Sequence, residues 1–428
     1  MFAAWRLGAA VTPVDPALTA HEARHQIGGA AAALVVADDA AAEKLRGSGR
    51  RIIRVDEITS PARPERPVPV SSAPGSPALL IYTSGTTGRP KCVVLDHANI
   101  TAAAERVVAS LDMDRDTRCL LVLPLTQVNG IVVGVVSPLS AGGSTFVADR
   151  FDPNTFWATV ERARPTFFSA VSTVYALLVA RPGSQSDTRN LRYAVSGAAP
   201  MPPALIREFE QRYGVPVVEG YGTSECTACC TANPLHGLRK PGTVGLPLPD
   251  IDVAVVDPDG TLLPAGVIGE VVVRGPTVMR GYLGRPEESG RTLRGGWLHT
   301  GDAGRFDQDG YLMLVDRLSD LIVRGGENIY PRDIEEVLCA HPAVLEAAVV
   351  GRPDPAVGHQ PVAFVVFRPG RTATPDDLVD HCRAALAPYQ VPSEVYVDEA
   401  LPKNPVGKIV KPVLRARLRS QDMSVPSR

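Results

Sequence analysis

The sequence lacks a surplus of either charge. Its 428 residues contain 44 Lys and Arg against 46 Asp and Glu, which gives a formal net charge of −2. A general nucleic-acid-binding protein needs a basic surplus to neutralise phosphates, so this balance argues against that class. Hydrophobic residues make up 45% of the chain and charged residues 21%, so a sizeable core is available and disorder is not indicated.

Long apolar runs, a secretory signal and clustered cysteines are also missing. The most apolar stretch, residues 131–148, is interrupted by Gly134, Pro138 and Gly142-Gly143, whereas a membrane helix needs about 18 uninterrupted apolar residues. The first residues show no basic head followed by a long apolar stretch. Seven cysteines in a chain of this length are too few for a disulfide framework. These observations predict a cytoplasmic protein without a membrane span.

Helical and strand patterns alternate through most of residues 1–300. They predict short strands at 10–14 and 33–37, the second of them buried, and a helix at Pro203–Tyr213 before a strand at 216–219. This alternation favours an α/β fold, with mixed and parallel sheets and flanking helices. From 245 to 282, short strands separated by Asp-Gly and Gly turn signals predict an antiparallel β-section.

A second, smaller unit is predicted after a boundary near residues 316–319. Its pattern is a helix at Pro331–Ala340, strands at 345–350 and 362–368, a helix at 375–386 and a strand at Glu394–Val397. Such an α+β unit has the usual size of an independent domain. We therefore predict a large domain over residues 1–316 and a small domain over 317–428. The Pro- and Ser-rich segment 60–77 predicts an exposed linker.

One loop concentrates groups that suit a polyphosphate. Residues 82–91 read Tyr-Thr-Ser-Gly-Thr-Thr-Gly-Arg-Pro-Lys and follow an apolar strand. Glycines let backbone amides close on an anion, hydroxyls donate hydrogen bonds and the lysine supplies a positive charge. The spacing differs from the P-loop pattern, so the P-loop NTPase mechanism is not implied. The alternative interpretation is a flexible Gly- and Thr-rich surface loop.

Five motifs in order resemble one family, the adenylate-forming enzymes, which include acyl-CoA synthetases, firefly-type luciferases and peptide-synthetase adenylation domains. The loop at 82–91 resembles the family's phosphate loop. The other motifs are Gly220-Tyr221-Gly222-Thr223-Ser224-Glu225, Trp297-Leu298-His299-Thr300-Gly301-Asp302, Asp316-Arg317 with residues 325–331, and residues 402–408, which end in Lys408. The resemblance covers nearly the whole chain and implies a large AMP-binding domain with a small, mobile C-terminal domain.

The resemblance also implies roles for the motif residues. Nucleotide binding is assigned to Thr83, Ser84, Gly85, Thr86, Thr87, Gly88, Gly197, Ala198, Ala199, Gly220, Tyr221, Gly222, Thr223, Ser224, Asp302 and Arg317. Catalysis is assigned to Lys91, Glu225 and Lys408. Chemically, Glu225 suits Mg²⁺ as a hard oxygen ligand, Tyr221 offers a flat face to adenine, and Asp302 can accept hydrogen bonds from both ribose hydroxyls with Arg317 beside it.

Further assignments concern the acid, CoA and the hinge. The resemblance places Gln127 beside an acyl pocket, Gly325 and Gly326 at a CoA tunnel, and Ser319 at the hinge. Apolar and small residues, Val128 and Ser172 among them, suggest the acyl pocket itself. Gln127 stands where His is common in the family, Ser224 where Thr is usual, Cys92 where Gly commonly follows the loop lysine, and Ser319 where Asp or Lys is usual. The chain also begins inside the usual large domain, so an N-terminally shortened fold is expected.

The sequence therefore predicts an ATP-dependent carboxylic acid:CoA ligase that uses ATP, Mg²⁺ and CoA. The acid is first activated as acyl-AMP, because AMP is a good leaving group, and the acyl group then passes to CoA. The predicted partners are a small-molecule carboxylic acid and CoA. Two alternatives remain open: the acyl group passes to a separate carrier protein, or the chain is a truncated, inactive nucleotide- or acyl-binding protein.

A cysteine cluster offers a separate interpretation. Cys226, Cys229 and Cys230, with His236 nearby, have some of the spacing of a zinc site. A structural zinc site needs four ligands, usually as two spaced pairs, and the sequence has no second cysteine pair. Packed, reduced thiols are therefore the prediction.

Overall fold

The computed structural model of the chain describes residues 1–58, 70, 72–83, 90–180, 188–198, 201–403 and 409–422, with the backbone alone at 420–422. The chain divides into two compact units, residues 1–253 with 272–300 and residues 254–271 with 301–428. Most of the predicted linker at 60–77 lies outside the described residues.

Short helices and strands make up both units. The helices are α1 (Phe2–Arg6), α2 (Ala20–Gly29), α3 (Asp39–Lys44), α4 (His97–Ser110), α5 (Val128–Ile131), α6 (Ser137–Ser140), α7 (Phe156–Ala163), α8 (Ser172–Val179), α9 (Pro203–Tyr213), α10 (Pro286–Thr292), α11 (Pro331–Ala340), α12 (Pro375–Ala385) and α13 (Lys411–Asp422). The strands are β1 (Leu34–Ala37), β2 (Arg51–Arg54), β3 (Pro77–Thr83), β4 (Lys91–Asp96), β5 (Arg118–Leu121), β6 (Ser144–Val147), β7 (Phe167–Ala170), β8 (Tyr193–Ser196), β9 (Val217–Tyr221), β10 (Thr231–Ala232), β11 (Leu246–Pro247), β12 (Asp252–Val256), β13 (Gly269–Arg274), β14 (Gly281–Tyr282), β15 (Leu293–Arg294), β16 (Trp297–Phe306), β17 (Leu312–Arg317), β18 (Ile322–Arg324), β19 (Glu327–Ile329), β20 (Val344–Asp354), β21 (Gly358–Phe367) and β22 (Glu394–Val397).

A seven-stranded mixed sheet forms the centre of the first unit, in the order β11-β10-β9-β8-β7-β5-β6. Strands β5 to β9 pair in parallel, and β10 and β11 add an antiparallel edge. Successive residues of β7 enter different cores, Phe167 with Tyr193 on one face and Phe168 with Tyr175 on the other. Burying each such ring contributes about 1.5–3 kcal/mol. The predicted α/β class is confirmed.

A smaller antiparallel sheet of the same unit, in the order β14-β4-β3, carries the start of the phosphate motif. Val11 pairs with Leu79 of β3 through a single parallel bridge. The rest of the strand predicted at 10–14 does not form. That prediction was therefore wrong: the apolar pattern is present, but only one residue has a strand partner.

The strand predicted at 33–37 exists as β1, but it is not buried. It pairs in parallel with β2 in a two-stranded sheet, and Leu34 and Val36 are 45% and 56% exposed. Only one face of this small sheet is covered, by Ala23 and Ile27 of α2 and by Leu45. The prediction that this strand is buried was therefore wrong, because it rested only on the hydrophobic character of the side chains.

The second unit contains a compact α+β sheet in the order β19-β18-β21-β20, with β22 parallel to β21. Helices α11 and α12 pack on one face through Ile334, Leu338 and Leu378. Leu414 and Leu418 of α13 pack on the other face. The small α+β unit is present as predicted, and α11 and β22 have the predicted bounds. Within the described residues of both units, no helix is long and apolar enough to cross a bilayer.

Candidate nucleotide and acyl site

The two ends of the phosphate motif lie at one end of the β3–β4 hairpin. Thr83 is opposite Lys91 in the strand register, and its Oγ1 donates to the Lys91 carbonyl oxygen at 3.4 Å. Residues 84–89 lie outside the described residues, and with them the assigned Ser84, Gly85, Thr86, Thr87 and Gly88. The hairpin therefore fixes where the motif begins and where its lysine starts the next strand.

Lys91 and Glu225 converge on one tyrosine, Tyr282. The Tyr282 hydroxyl donates to Glu225 Oε1 at 2.9 Å, and Lys91 Nζ lies 4.9 Å from the centre of the same ring. A second carboxylate, from Glu288, lies 3.5 Å from Lys91 Nζ. The side chain of Lys91 is 19% exposed, so these contacts confine its charge to a partly enclosed place. We name this group the Tyr282 cluster: Lys91, Glu225, Tyr282 and Glu288.

The sequence pattern did not indicate Tyr282. It lies at the end of the predicted antiparallel section, 57 residues after Glu225, and no local period connects the two. Burial, and then the adjacent Glu225 carboxylate, raise the pKa of Tyr282 well above its ordinary value. The hydroxyl therefore remains a donor and orients Glu225.

The segment that leads to Tyr282 is fastened to the first turn of α4. Asp96 caps that helix by accepting the Asn99 N–H at 2.7 Å, and its other oxygen accepts from Arg280 Nε at 2.5 Å. The Asn99 side-chain amide donates to the carbonyl oxygens of Pro276 and Val278 at 2.8 and 2.9 Å. Both Asp96 and Asn99 are buried, whereas the side chain of Arg280 is 62% exposed, so Asp96 is reached from solvent only through its partner.

The motif at residues 220–225 begins in the last two residues of β9 and continues into a tightly folded loop. A Cβ on Gly222 would lie 2.2 Å from the Ala228 carbonyl oxygen, so the loop requires glycine there. Thr223 accepts the Cys226 N–H at its carbonyl, and Ser224 and Glu225 form the 3₁₀ turn between them. Gly222 was assigned to nucleotide binding, and the close approach at this glycine is that of the chain's own Ala228.

Tyr221 and the residues 197–198 lie beside this loop. Tyr221, which the sequence assigned to adenine, is only 8% exposed. Gly220 faces Cys229 Sγ, and a Cβ there would lie at 3.4 Å. Ala198 has a left-handed φ of 65°, an unusual conformation for a residue with a Cβ. The assigned Ala199 lies outside the described residues.

The residues assigned to an acyl pocket lie near the carboxyl ends of the parallel strands. Val128 is buried and Ser172 opens α8. Gln127 precedes α5, and its buried Nε2 has no hydrogen-bond partner among the described residues. Asn129 was not assigned from sequence: its Oδ1 accepts from Ser169 Oγ at 3.2 Å, and a Cβ on Gly197 would lie 3.1 Å from its Nδ2. Ligands of open α/β sheets bind at this edge.

The cysteine cluster bonds to its own backbone. The thiols of Cys226, Cys229 and Cys230 donate to the carbonyl oxygens of Thr223, Thr231 and Tyr221 respectively. His236 is 79% exposed and lies 3.6 Å from Asp112 instead. All seven cysteines of the chain are described, and each is a free thiol. Within the described ranges, no group of three or more His, Cys, Asp or Glu side chains is arranged to hold a metal ion.

In the second unit, Asp302 and Arg317 form an ion pair. They are directly opposite in the β16–β17 register, and Arg317 Nε lies 2.6 Å from Asp302 Oδ1. The Asp302 side chain is 9% exposed and that of Arg317 is 38% exposed. The register therefore brings together the two residues that the sequence assigned to the ribose.

The residues that the sequence assigned to a hinge and a CoA tunnel come soon after Arg317 in the chain. Ser319 is exposed in a 3₁₀ turn at Leu318–Asp320. Gly325 and Gly326, with φ of 59° and 90°, form the two-residue turn between β18 and β19. Both left-handed values are required by a type I′ hairpin turn, so the turn itself accounts for the two glycines. Lys408 lies outside the described residues.

The chain matches two family models and several known proteins. The family model for AMP-binding enzyme matches residues 1–283, and that for AMP-binding enzyme C-terminal domain matches residues 333–408. A feruloyl-CoA synthase from an Amycolatopsis species is 36% identical over 420 residues, covering 97% of this chain and 85% of the relative. A long-chain-fatty-acid–CoA ligase from Bacillus subtilis is 38% identical over 349 residues, covering 81% and 62%.

Solved structures show the same similarity. ATP-bound MatB from Rhodopseudomonas palustris has a TM-score of 0.91 at 32% identity, covering 98% of this chain and 86% of that one. O-succinylbenzoate coenzyme A synthetase from Bacillus subtilis, in complex with ATP and magnesium, has a TM-score of 0.88 at 30% identity, with the same coverage of 98% and 86%. The chain therefore belongs to the AMP-binding, adenylate-forming enzyme family, among relatives that are CoA ligases.

Proposed function

We propose that the chain is an ATP-dependent carboxylic acid:CoA ligase. It forms an acyl-AMP with release of pyrophosphate and then transfers the acyl group to CoA. The observation that carries the proposal is the Tyr282 cluster, in which Lys91, the last residue of the phosphate motif, and the Glu225 carboxylate contact the same tyrosine. A polyphosphate needs both groups, the first to neutralise its oxygens and the second to hold its metal ion.

Glu225 fits the demands of Mg²⁺ at such a site. Mg²⁺ is usually bound by one or two carboxylates together with waters and substrate phosphates, so a cage of several acidic residues is not needed. Tyr282 occupies Oε1 of Glu225, and among the described residues Oε2 accepts no hydrogen bond, which leaves it available. When bound, Mg²⁺ neutralises phosphate charge. Lys91 adds a fixed positive charge, and Tyr282 holds the Glu225 carboxylate in one orientation.

The remaining assignments extend the proposal to the rest of the reaction. Asp302 accepts hydrogen bonds from the ribose hydroxyls, and Arg317 holds its carboxylate in one orientation. Lys408 supplies positive charge where the acid attacks the α-phosphate. We place the domain boundary at 316/317 and the hinge at Ser319. The small domain then turns and presents Gly325 and Gly326 to the pantetheine arm of CoA. Because ATP and CoA are cytoplasmic metabolites, we also assign the protein to the cytoplasm.

Pyrophosphate release with a panel of carboxylic acids tests the proposal. The protein is incubated with ATP, Mg²⁺ and each acid, first without and then with CoA. We expect pyrophosphate with at least one acid and a thioester once CoA is added. If a thioester forms only when an acyl carrier protein is supplied, the carrier protein and not CoA is the acceptor. No pyrophosphate with any acid, from protein whose unfolding transition is cooperative, would favour the inactive binding protein.

A further inference from the structure

Helix α10 places a carboxylate against the lysine of the phosphate motif. Glu288 lies in the first turn of α10, and its Oε2 is 3.5 Å from Lys91 Nζ. The helix is fastened to the strand that carries Tyr282, because the Tyr282 N–H donates to Ser289 Oγ at 2.8 Å. One short segment of the chain therefore supplies both the ring and the carboxylate that Lys91 contacts.

Arg285 shares the Glu288 carboxylate with Lys91. Its Nη1 donates to the two Glu288 oxygens at 3.1 and 3.3 Å, and its Nη2 donates to the carbonyl oxygen of Pro90, the residue before Lys91, at 3.3 Å. Burial opposes the ionisation of Glu288, but Lys91 and then Arg285 bring its pKa below the ordinary value. Glu288 is therefore an anion at neutral pH with two cationic partners.

The pair between Lys91 and Glu288 has the features of one that can be exchanged. Its 3.5 Å distance is longer than the 2.7–2.9 Å of a strong charge-assisted hydrogen bond, and the two side chains are 19% and 34% exposed. If Lys91 turned to another anion, Glu288 would keep Arg285, so no carboxylate would be left without a cation. Together the three groups carry one surplus positive charge.

We propose that Glu288 is a positioning residue for Lys91 that competes with the polyphosphate for its charge. The inference rests on the proposed function, in which Lys91 neutralises phosphate oxygens. Glu288 pairs with Lys91 while no polyphosphate is bound, and a phosphate oxygen takes its place when ATP arrives. Lys91 regains the carboxylate only after pyrophosphate has left, so Glu288 favours that release. Glu288 therefore weakens the binding of both ATP and pyrophosphate.

The test compares two adjacent glutamates of α10. Glu288→Gln removes the charge but keeps an oxygen that can accept from Arg285. Glu287→Gln is the matched control, because it removes the same charge from a side chain that is 87% exposed and lies 3.9 Å from Arg291 instead. Calorimetric binding of ATP with Mg²⁺, and of pyrophosphate with Mg²⁺, needs no turnover. We expect both Kd values to fall by about 2- to 5-fold in Glu288→Gln and to stay unchanged in the control.

A double-mutant cycle shows whether Glu288 acts through Lys91. In a Lys91→Met background, or in Lys91→Gln if the first variant fails to fold, Glu288→Gln should lose most of its gain in affinity. The inference is refuted if Glu288→Gln binds no more tightly than wild type, if Glu287→Gln shows the same gain, or if the gain persists without Lys91. Wild-type protein that binds neither ligand also refutes it. Protein that binds both ligands but releases no pyrophosphate with any acid refutes the ligase function alone.

Discussion

The variant Tyr282→Phe tests whether the tyrosine hydroxyl orients Glu225, because it leaves the other contacts of the Tyr282 cluster in place. The variant loses the 2.9 Å hydrogen bond to Glu225 Oε1 but keeps the ring on which Lys91 packs. Losing a partner that orients a metal ligand typically costs about 10- to 100-fold in metal affinity. Because Glu225 is only partly buried, we expect the lower end, a rise of about 10-fold in the Mg²⁺ concentration for half-maximal activity.

The assay is a Mg²⁺ titration of pyrophosphate release at saturating ATP and acid. Tyr175→Phe is the matched control, since the Tyr175 hydroxyl is fully buried and donates to the Val195 carbonyl oxygen at 2.8 Å rather than to Glu225. The control should lose about 0.5–1.5 kcal/mol of unfolding free energy and keep its Mg²⁺ dependence. A wild-type Mg²⁺ dependence in Tyr282→Phe, or an equal shift in both variants, would refute the reasoning.

Four further outcomes are expected. Asp302→Ala should raise the KM for ATP, since losing a charge-assisted hydrogen bond costs about 1.5–3 kcal/mol, or about 10- to 100-fold; unchanged ATP kinetics would place Asp302 away from the ribose. Gln127→Ala should reorder the ranking of acids at constant ATP affinity, and a wild-type ranking across long, short and aromatic acids would contradict a place in the acyl pocket. Lys408→Ala should slow acyl-AMP formation by about 10²- to 10³-fold while thioester formation from supplied acyl-AMP stays near normal, and equal loss in both steps would contradict the assignment. The Tyr396 hydroxyl, and then Arg352, lower the pKa of Glu394. The ionised Glu394 carboxylate therefore stabilises the folded state at neutral pH, and this stabilisation is lost in acid. The difference in thermal midpoint between wild type and Glu394→Gln should therefore shrink below about pH 4, and a constant difference would be the contrary result.

Local signals explain what the sequence predicted well. Helix α9 has the predicted bounds because Pro203 opens it and Gly214, with a φ of 66°, ends it in the left-handed region. The Asp302–Arg317 pair was also anticipated, and it forms because antiparallel pairing of two adjacent strands places the residues opposite each other. Both features depend on residues only a few positions apart in the chain, or on two adjacent strands, so the sequence was enough to predict them.

Contacts between distant segments explain what the sequence did not predict. The strand expected at 10–14 has the right composition, but one bridge to Leu79 is its whole pairing. Leu34 and Val36 are apolar yet exposed, because the sheet that holds them has a single covered face. Tyr282 reaches Glu225 through a tertiary contact that no local pattern announces. In each case the deciding partner is fixed only by the assembled fold.

The cap of α4 also has a consequence for the order in which this unit folds. Asp96 and Asn99 stabilise the start of the helix locally, but their second partners lie at residues 276–280, with the Asn99 contacts 177 and 179 positions along the chain. Closing so long a loop costs conformational entropy before the bonds form, so these contacts come late. On refolding, helical signal should therefore return before ligase activity, because Tyr282 reaches Glu225 only once its segment docks on α4.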